Sequence, residues 1–240
     1  MEKLFEKKYD LRTGDFDKFN RIKLSSILDL FQDAAGRHAE EIGIGFEGMK
    51  ARSYFWVLAK TRFQILSEPA LHQEVVVKTW PLEPNKIIYR REYSIESLGG
   101  EELIKGSSEW VVVDSSTRRI VSAPDLYPFS DGFITKMNFE GRLSKVEDFV
   151  CEGTPHHISP SFSLLDVNNH VNNTKYADFV LDAIKPEARL SAELVQIDYR
   201  KEVLSGTELN IYHTEKDGAV LSKGQDADGN VMFACKIIYK

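Results

Sequence analysis

Two cysteines in 240 residues, Cys151 and Cys235, are too few for a disulfide framework and lack the spacing of a metal site. Each is expected as a buried or partly buried thiol, in a cytoplasmic protein. No apolar run approaches the ~18 to 20 residues of a membrane span, and the segment from Met1 to Lys8 lacks the apolar stretch of a secretory signal, so no membrane is expected as a partner. Positive charge is also short. With 31 Lys and Arg against 37 Asp and Glu the formal net charge is −6, which argues against a nucleic-acid surface and a polybasic anchor. A local basic patch for an acidic partner remains compatible with that balance. Lys86, Arg90, Arg91, Arg118 and Arg119 are its residues, with an ordinary solvated strand edge as the alternative. Histidine is sparse: His156 and His157 fall in a proline-flanked loop with only Cys151 near ligand spacing, so no metal and no other cofactor is expected. His38 and His213 are expected to be structural, and His72 to lie in a loop.

What is present is the composition of a globular chain, 42% hydrophobic and 28% charged, long enough for one large domain or two small ones. It repeats itself once. A single offset of 149 carries Asp17 onto Asp166, Asp29 onto Asp178, Asp33 onto Asp182 and Ala34 onto Ala183, and sets Ile22 on Val171 and Phe31 on Val180. In the first copy Leu24, Ile27, Leu28, Phe31, Ala34, Ala35 and His38 recur at three and four residues, predicting a helix from about Leu24 to Ile42 that Gly43 and Gly45 stop. In the second, Tyr176, Phe179, Val180, Ala183 and Ile184 predict a helix from about Val171 to Ile184, ended by Lys185-Pro186.

After each helix the period changes to that of strands. The first half offers strands over 55–65, 74–80, 87–95 and 103–113, the last two turned at Gly99-Gly100. The second offers 192–200, 208–213, 219–225 and 231–239, with Asp228-Gly229 as the matching turn. Such a helix can bury its apolar stripe only against such a sheet, so each half is an α+β layer. Pro124, Pro128, Asp131-Gly132 and the charged stretch from Glu140 to Asp148 place a boundary near residue 145, giving domains 1–145 and 146–240.

The segment Asp166-Val167-Asn168-Asn169-His170-Val171-Asn172-Asn173 sets a carboxylate, a carboxamide and an imidazole at every second position before the second helix. The same residues could simply cap a helix and shape a turn. In the first copy Phe19 stands where Asn168 does and Arg21 where His170 does, so that half keeps the fold and lacks the chemistry. One site per chain is expected, in the second half. Leu28, Phe31, Phe55 and Trp56 of the first half either line an apolar substrate pocket or are simple core.

With the following Lys175-Tyr176, that segment resembles the signature of acyl-acyl carrier protein thioesterases, enzymes of plant plastids and many bacteria that release fatty acids from carrier protein. The resemblance covers nearly the whole chain, through Tyr9-Asp10, Trp56-Val57-Leu58, Ser108-Glu109-Trp110-Val111 and Asp198-Tyr199-Arg200-Lys201-Glu202. It implies two tandem hotdog domains, each a long helix packed on an antiparallel β-sheet, the first shaping the acyl pocket and the second catalytic. It makes Asp166, Asn168 and His170 the catalytic group with Glu202 as a fourth member, and acyl carrier protein the partner docking on the basic residues. Val203 stands after that glutamate where plant enzymes often have cysteine, so a thiol nucleophile is not available there.

Thioester hydrolysis needs a nucleophile, an oxyanion site and a proton for the leaving thiolate. Asp166 could attack directly to give an anhydride or act as base toward water. Backbone N–H groups around Val171 and Asn172, at the expected helix start, are the expected oxyanion donors. Asn168 could add a side-chain donor, His170 could donate to sulfur or orient Asp166, and Glu202 could hold water or the imidazole. Three alternatives stand beside this reading: a hotdog acyl-CoA thioesterase, an acyl-thioester hydratase or dehydratase, and a non-catalytic acyl-thioester binding protein. The last would call for an output module, and no basic helix-turn-helix stretch is left over. Monomer and homodimer are both open.

Overall fold

The computed structural model describes residues 2–129, 131–186 and 191–240. Helix α1 spans Leu24–Glu41, and its Leu24, Ile27, Leu28, Phe31, Ala34 and Ala35 are buried, the stripe that the three- and four-residue spacing predicts. It ends beside Gly43, at φ 74°, and a one-turn helix α2, Phe46–Lys50, follows. The chain divides into two compact units, one up to Ile22 and over Ile27–Leu143, the other over Lys23–Ser26 and from Ser144 onward.

In the first unit β1 (Phe5–Asp10), β2 (Tyr54–Ile65), β3 (Glu74–Pro81), β4 (Tyr89–Ser97) and β5 (Glu102–Asp114) form an antiparallel sheet in the order β1-β3-β4-β5-β2, with β6 (Ile120–Val121) on β5. The expected strand from 87 begins at Tyr89, because Ile88 is already paired back to Asn85 in the preceding turn. Helix α1 seats on this sheet through Phe31, whose ring stacks on Tyr93 at 4.4 Å and meets Phe63 edge-on at 6.3 Å. A Cβ at Gly106 would lie 2.4 Å from the Phe31 ring, so the bare glycine on β5 makes the hollow that the helix side chain fills.

The second unit holds β7 (His156–Ile158), α3 (Tyr176–Ile184), β8 (Ala192–Tyr199), β9 (Leu209–Lys216), β10 (Ala219–Gln225) and β11 (Val231–Tyr239), with the sheet order β8-β11-β10-β9-β7. Two expectations are corrected. His156 and His157 belong to a short antiparallel strand, opposite Ile211 and Asn210, rather than to a loop. The second helix begins at Tyr176, five residues later than predicted from Val171, because Asn173–Lys175 form a tighter 3-10 turn capped by the Asn172 side chain, which accepts the Thr174 N–H at 3.0 Å. Lys185, in left-handed conformation, closes the helix where the sequence places its end.

The charged stretch around residue 140 is an ordered strap. Over the first unit it crosses the strands in spatial order. The Trp80 indole on β3 donates to the Lys136 carbonyl. Arg90 on β4 donates to the Phe139 and Gly141 carbonyls, and buried Glu92 accepts the Asn138 N–H at 2.9 Å. Glu109 on β5 accepts the Leu143 N–H, and Lys60 on β2 donates to the Leu143 carbonyl. Burial raises the Glu92 carboxyl above its ordinary range, while Ser107, Arg90 and the Asn138 N–H work against that rise. In the second unit the same logic continues: Asp198 accepts the Val146 N–H at 2.8 Å, Gln196 donates to the Ser144 carbonyl, and Lys223 donates to Asp148 and the Phe149 carbonyl. Buried polar strand residues thus serve as partners for strap backbone that could not otherwise lie on a sheet.

Candidate active site

The Asp166 segment is a closed turn. The Asp166 N–H donates to the His170 carbonyl at 2.7 Å, and the Asn169 N–H to the Asp166 carbonyl at 3.0 Å. One carboxylate oxygen, Oδ1, accepts the Asn168 N–H at 2.8 Å and the His170 N–H at 3.2 Å. Asn169 occupies the left-handed region at φ 62°, which asparagine tolerates, and a bridge between Leu165 and Val171 pins the ends. Asp166 therefore shapes a turn with one oxygen; the other, Oδ2, takes no hydrogen bond among the described residues. Asn168 is exposed and His170 half-buried.

A second segment meets this turn. His170 bridges to Leu204, the Val171 N–H donates to the Val203 carbonyl at 2.8 Å, and Glu202 is thereby brought to 3.5 Å from His170 Nε2. Glu202 is 42% exposed and His170 27%, so the contact is open to solvent. The structure thus brings together Asp166, His170 and Glu202, and places the Asn168 side chain at the exposed tip. The expected oxyanion donors are corrected: the Val171 N–H is bound to Val203 and the Asn172 N–H to the Leu164 carbonyl at 2.9 Å, since both lie in paired backbone before the helix begins.

The first unit carries the same turn with a different occupant. Asp17 Oδ1 accepts the Phe19 N–H at 2.8 Å and the Arg21 N–H at 3.0 Å, Asn20 sits at φ 60°, and Phe16 bridges to Ile22. Here the second oxygen is taken, because the Arg21 guanidinium grips Asp17 Oδ2 at 2.8 Å. Burial pushes the Asp17 carboxyl up, but the Arg21 N–H and guanidinium and the Phe19 N–H outweigh it and hold the group below its ordinary range.

Of the first-unit residues offered for a substrate pocket, Leu28 and Phe31 are buried between helix and sheet. Trp56 is half-buried in an aromatic group, edge-on to Tyr89 at 5.2 Å and to Trp110 at 6.5 Å, with its indole N–H on the Ile44 carbonyl. Phe55 lies under the Arg118 guanidinium at 5.1 Å.

A family model described as the acyl-ACP thioesterase N-terminal domain matches residues 2–127, and one described as the C-terminal domain matches 149–238. The chain belongs to the acyl-ACP thioesterase family. Curated relatives include a palmitoyl-acyl carrier protein thioesterase of Cuphea hookeriana, 27% identical over 83% of this chain and 52% of its own length. An oleoyl-acyl carrier protein thioesterase of Coriandrum sativum is 27% identical over 82% of this chain and 59% of its own. The chain thus spans a little over half the length of these curated relatives. Among solved structures, a 12:0-ACP thioesterase from Umbellularia californica superposes with a TM-score of 0.85 at 21% identity, covering 100% of this chain and 98% of that one. An acyl-ACP thioesterase from Bacteroides thetaiotaomicron gives 0.83 at 18% identity, with 99% and 98% covered. The fold is therefore the α+β tandem hotdog arrangement that the resemblance implies.

Within this family member, two of the five basic residues offered for carrier docking are corrected. Arg90 is buried among Glu92, Ser107 and the strap carbonyls, and Arg91 is buried against His38 Nδ1 at 2.9 Å and Thr79 Oγ1 at 3.3 Å. Adjacent on β4, they point to opposite faces of the sheet, and both faces are covered there, one by the strap and the other by helix α1. Lys86, Arg118 and Arg119 are exposed. His38 is structural, its Nε2 against the Glu2 carbonyl at 3.0 Å; burial first and Arg91 second push its pKa down to about 4. Val203 is fully buried beside Glu202, Cys235 is buried with its thiol pushed up by burial, and Cys151 is half-buried. Tyr176, placed by the sequence in the apolar stripe of the second helix, is buried at the first position of α3.

Proposed function

We propose that this chain hydrolyses the thioester of acyl-acyl carrier protein and releases a free fatty acid, with Asp166, Asn168, His170 and Glu202 as its reactive group. The observation that carries the reading is the unoccupied side of Asp166. One oxygen is fixed by two N–H groups, which aims the carboxylate, and Oδ2 is left to act at a thioester carbonyl, either directly or by drawing a proton from water. His170, 3.5 Å from Glu202, is placed to move a proton toward the leaving sulfur. The exposed carboxamide of Asn168 supplies an N–H donor for the substrate oxygen in place of the backbone groups that are already bound.

The division of labour follows the two turns: the second unit, from about residue 146, carries the chemistry, and the first, to about 145, contributes apolar residues such as Leu28, Phe31, Phe55 and Trp56 to acyl binding. Lys86, Arg118 and Arg119 are the cations offered to an acidic carrier protein, and unpaired Cys151 and Cys235 accord with a cytoplasmic setting. Support for the substrate class comes from the family match and from the activities that the relatives' names give. A thiol-release assay with a chromogenic disulfide, run over acyl-carrier-protein and acyl-CoA substrates of graded length, tests it. Free thiol should appear fastest from carrier-protein substrates. Hydration or dehydration of the acyl chain without thiol release would sink the proposal.

A further inference from the structure

Arg90 and Arg91 are neighbours on β4 and both are buried, yet only one of them has an anion. Arg90 holds the Glu92 carboxylate at 2.5 Å beside the strap carbonyls. Arg91, on the opposite face and 5% exposed, pairs with no carboxylate among the described residues. Its two contacts fall on a single nitrogen: Nη1 donates to His38 Nδ1 at 2.9 Å and to Thr79 Oγ1 at 3.3 Å.

Both acceptors are neutral. His38 Nε2 lies 3.0 Å from the Glu2 carbonyl, which can only accept, so that nitrogen carries the ring proton and Nδ1 is bare. The Thr79 hydroxyl gives its proton to the Glu92 carbonyl at 2.9 Å. A buried cation held by such partners alone lacks the counter-charge that burial calls for. The guanidinium meanwhile has a free edge. Nε and Nη2 lie side by side, neither hydrogen-bonds to a described residue, and neither is among the polar atoms sealed from water without a partner. The surroundings are aromatic: Phe5 stacks on His38 at 6.0 Å, and Phe31 stacks at 4.4 Å on Tyr93, the next residue on the Arg91 face of β4.

We propose that the Nε/Nη2 edge of Arg91 is the head-group site for an alkyl carboxylate bound in the first unit. Two parallel N–H groups match the two oxygens of one carboxylate. A single negative charge balances the single guanidinium, whereas a phosphate dianion would leave a surplus charge buried. The aromatic surroundings suit a ligand whose body is hydrocarbon. Under the thioesterase reading, hydrolysis creates such a carboxylate and the thioester substrate has none, so the site holds the released acid rather than the substrate. That consequence rests on the thioesterase reading; the binding itself does not.

Calorimetric titration of the purified chain with octanoate and decanoate tests the site, with the corresponding alcohols and inorganic phosphate alongside. At least one acid should bind about tenfold or more tightly than its alcohol, and phosphate should not saturate the chain. Arg91→Gln should weaken that acid about thirtyfold and its alcohol less than about threefold, as expected when one partner of a buried bidentate charge pair is removed. Equal binding of acid and alcohol, saturation by phosphate, or unchanged acid binding in Arg91→Gln would each overturn the inference. If Arg91→Gln does not fold, NMR of the wild-type chain decides. The Arg91 Nε–H resonance should move downfield on adding the acid and stay in place with the alcohol, and an unmoved resonance overturns the inference. A chain that binds the acid through Arg91 yet releases no thiol from any acyl thioester upholds this site and fails the thioesterase reading.

Discussion

Asp17 and Asp166 occupy the same turn, with the same two N–H groups on Oδ1 and the same left-handed asparagine three residues on, at φ 60° and 62°. They differ in the second oxygen. In the first unit Arg21 takes it; in the second the equivalent residue is His170, which turns to Glu202 instead. The comparison separates the two roles of an aspartate at a turn. Shaping the backbone needs one oxygen, and chemistry needs the other to be available. The duplicated fold has thus kept the turn twice and left the second carboxylate oxygen open once.

The largest effect should come from cutting the comparison at its centre. Asp166→Asn should lower kcat by about 10³-fold in the thiol-release assay while substrate still binds, whereas Asp17→Asn, which disturbs only a turn and its ion pair, should leave turnover within about threefold. Equal losses at the two positions would end the assignment of the chemistry to the second unit. Next, His170→Arg makes the second turn resemble the first. The introduced guanidinium should close on Asp166 as Arg21 closes on Asp17, and kcat should fall about 10²-fold with the thermal midpoint held within a few degrees. Full activity in that variant would mean that an available Oδ2 is not what distinguishes the turns.

The smallest effect concerns the histidines rather than the aspartates. His38 is buried against Arg91 with its pKa pushed down to about 4, so the folded chain keeps it neutral where the unfolded chain, near 6.5, takes up a proton. Stability is therefore full above about pH 6.5 and falls as pH drops toward 4, by on the order of 2 to 3 kcal/mol. Denaturant melts across that range should show the decline, and His38→Gln should flatten it. His170→Gln should not, and if it flattened the curve as much, the contrast between a structural and a site histidine would be lost.

The offset of 149 was visible in the spacing of the aspartates, and it holds down to the bridges Phe16–Ile22 and Leu165–Val171. Helix α1 was legible because its buried stripe is long and regular. The start of α3 was not: an apolar Val171 continues the periodic pattern, but its N–H is committed to Val203, a pairing between distant segments that no local pattern records. Arg90 and Arg91 looked like a basic patch for a similar reason. Charge is local to the sequence, while the buried partners Glu92, His38 and the strap carbonyls come from elsewhere in the chain.

The sequence by itself determined the two-fold repeat, the helix-then-strands order of each half, and which half carries the amide and imidazole, because periodicity and side-chain identity are properties of the chain. Only the tertiary structure decided which oxygen of Asp166 stays open, which N–H groups are already bound, and that Glu202 reaches His170. Those depend on hydrogen bonds and packing between residues far apart in sequence, and directional contacts of that kind exist only once the chain has folded.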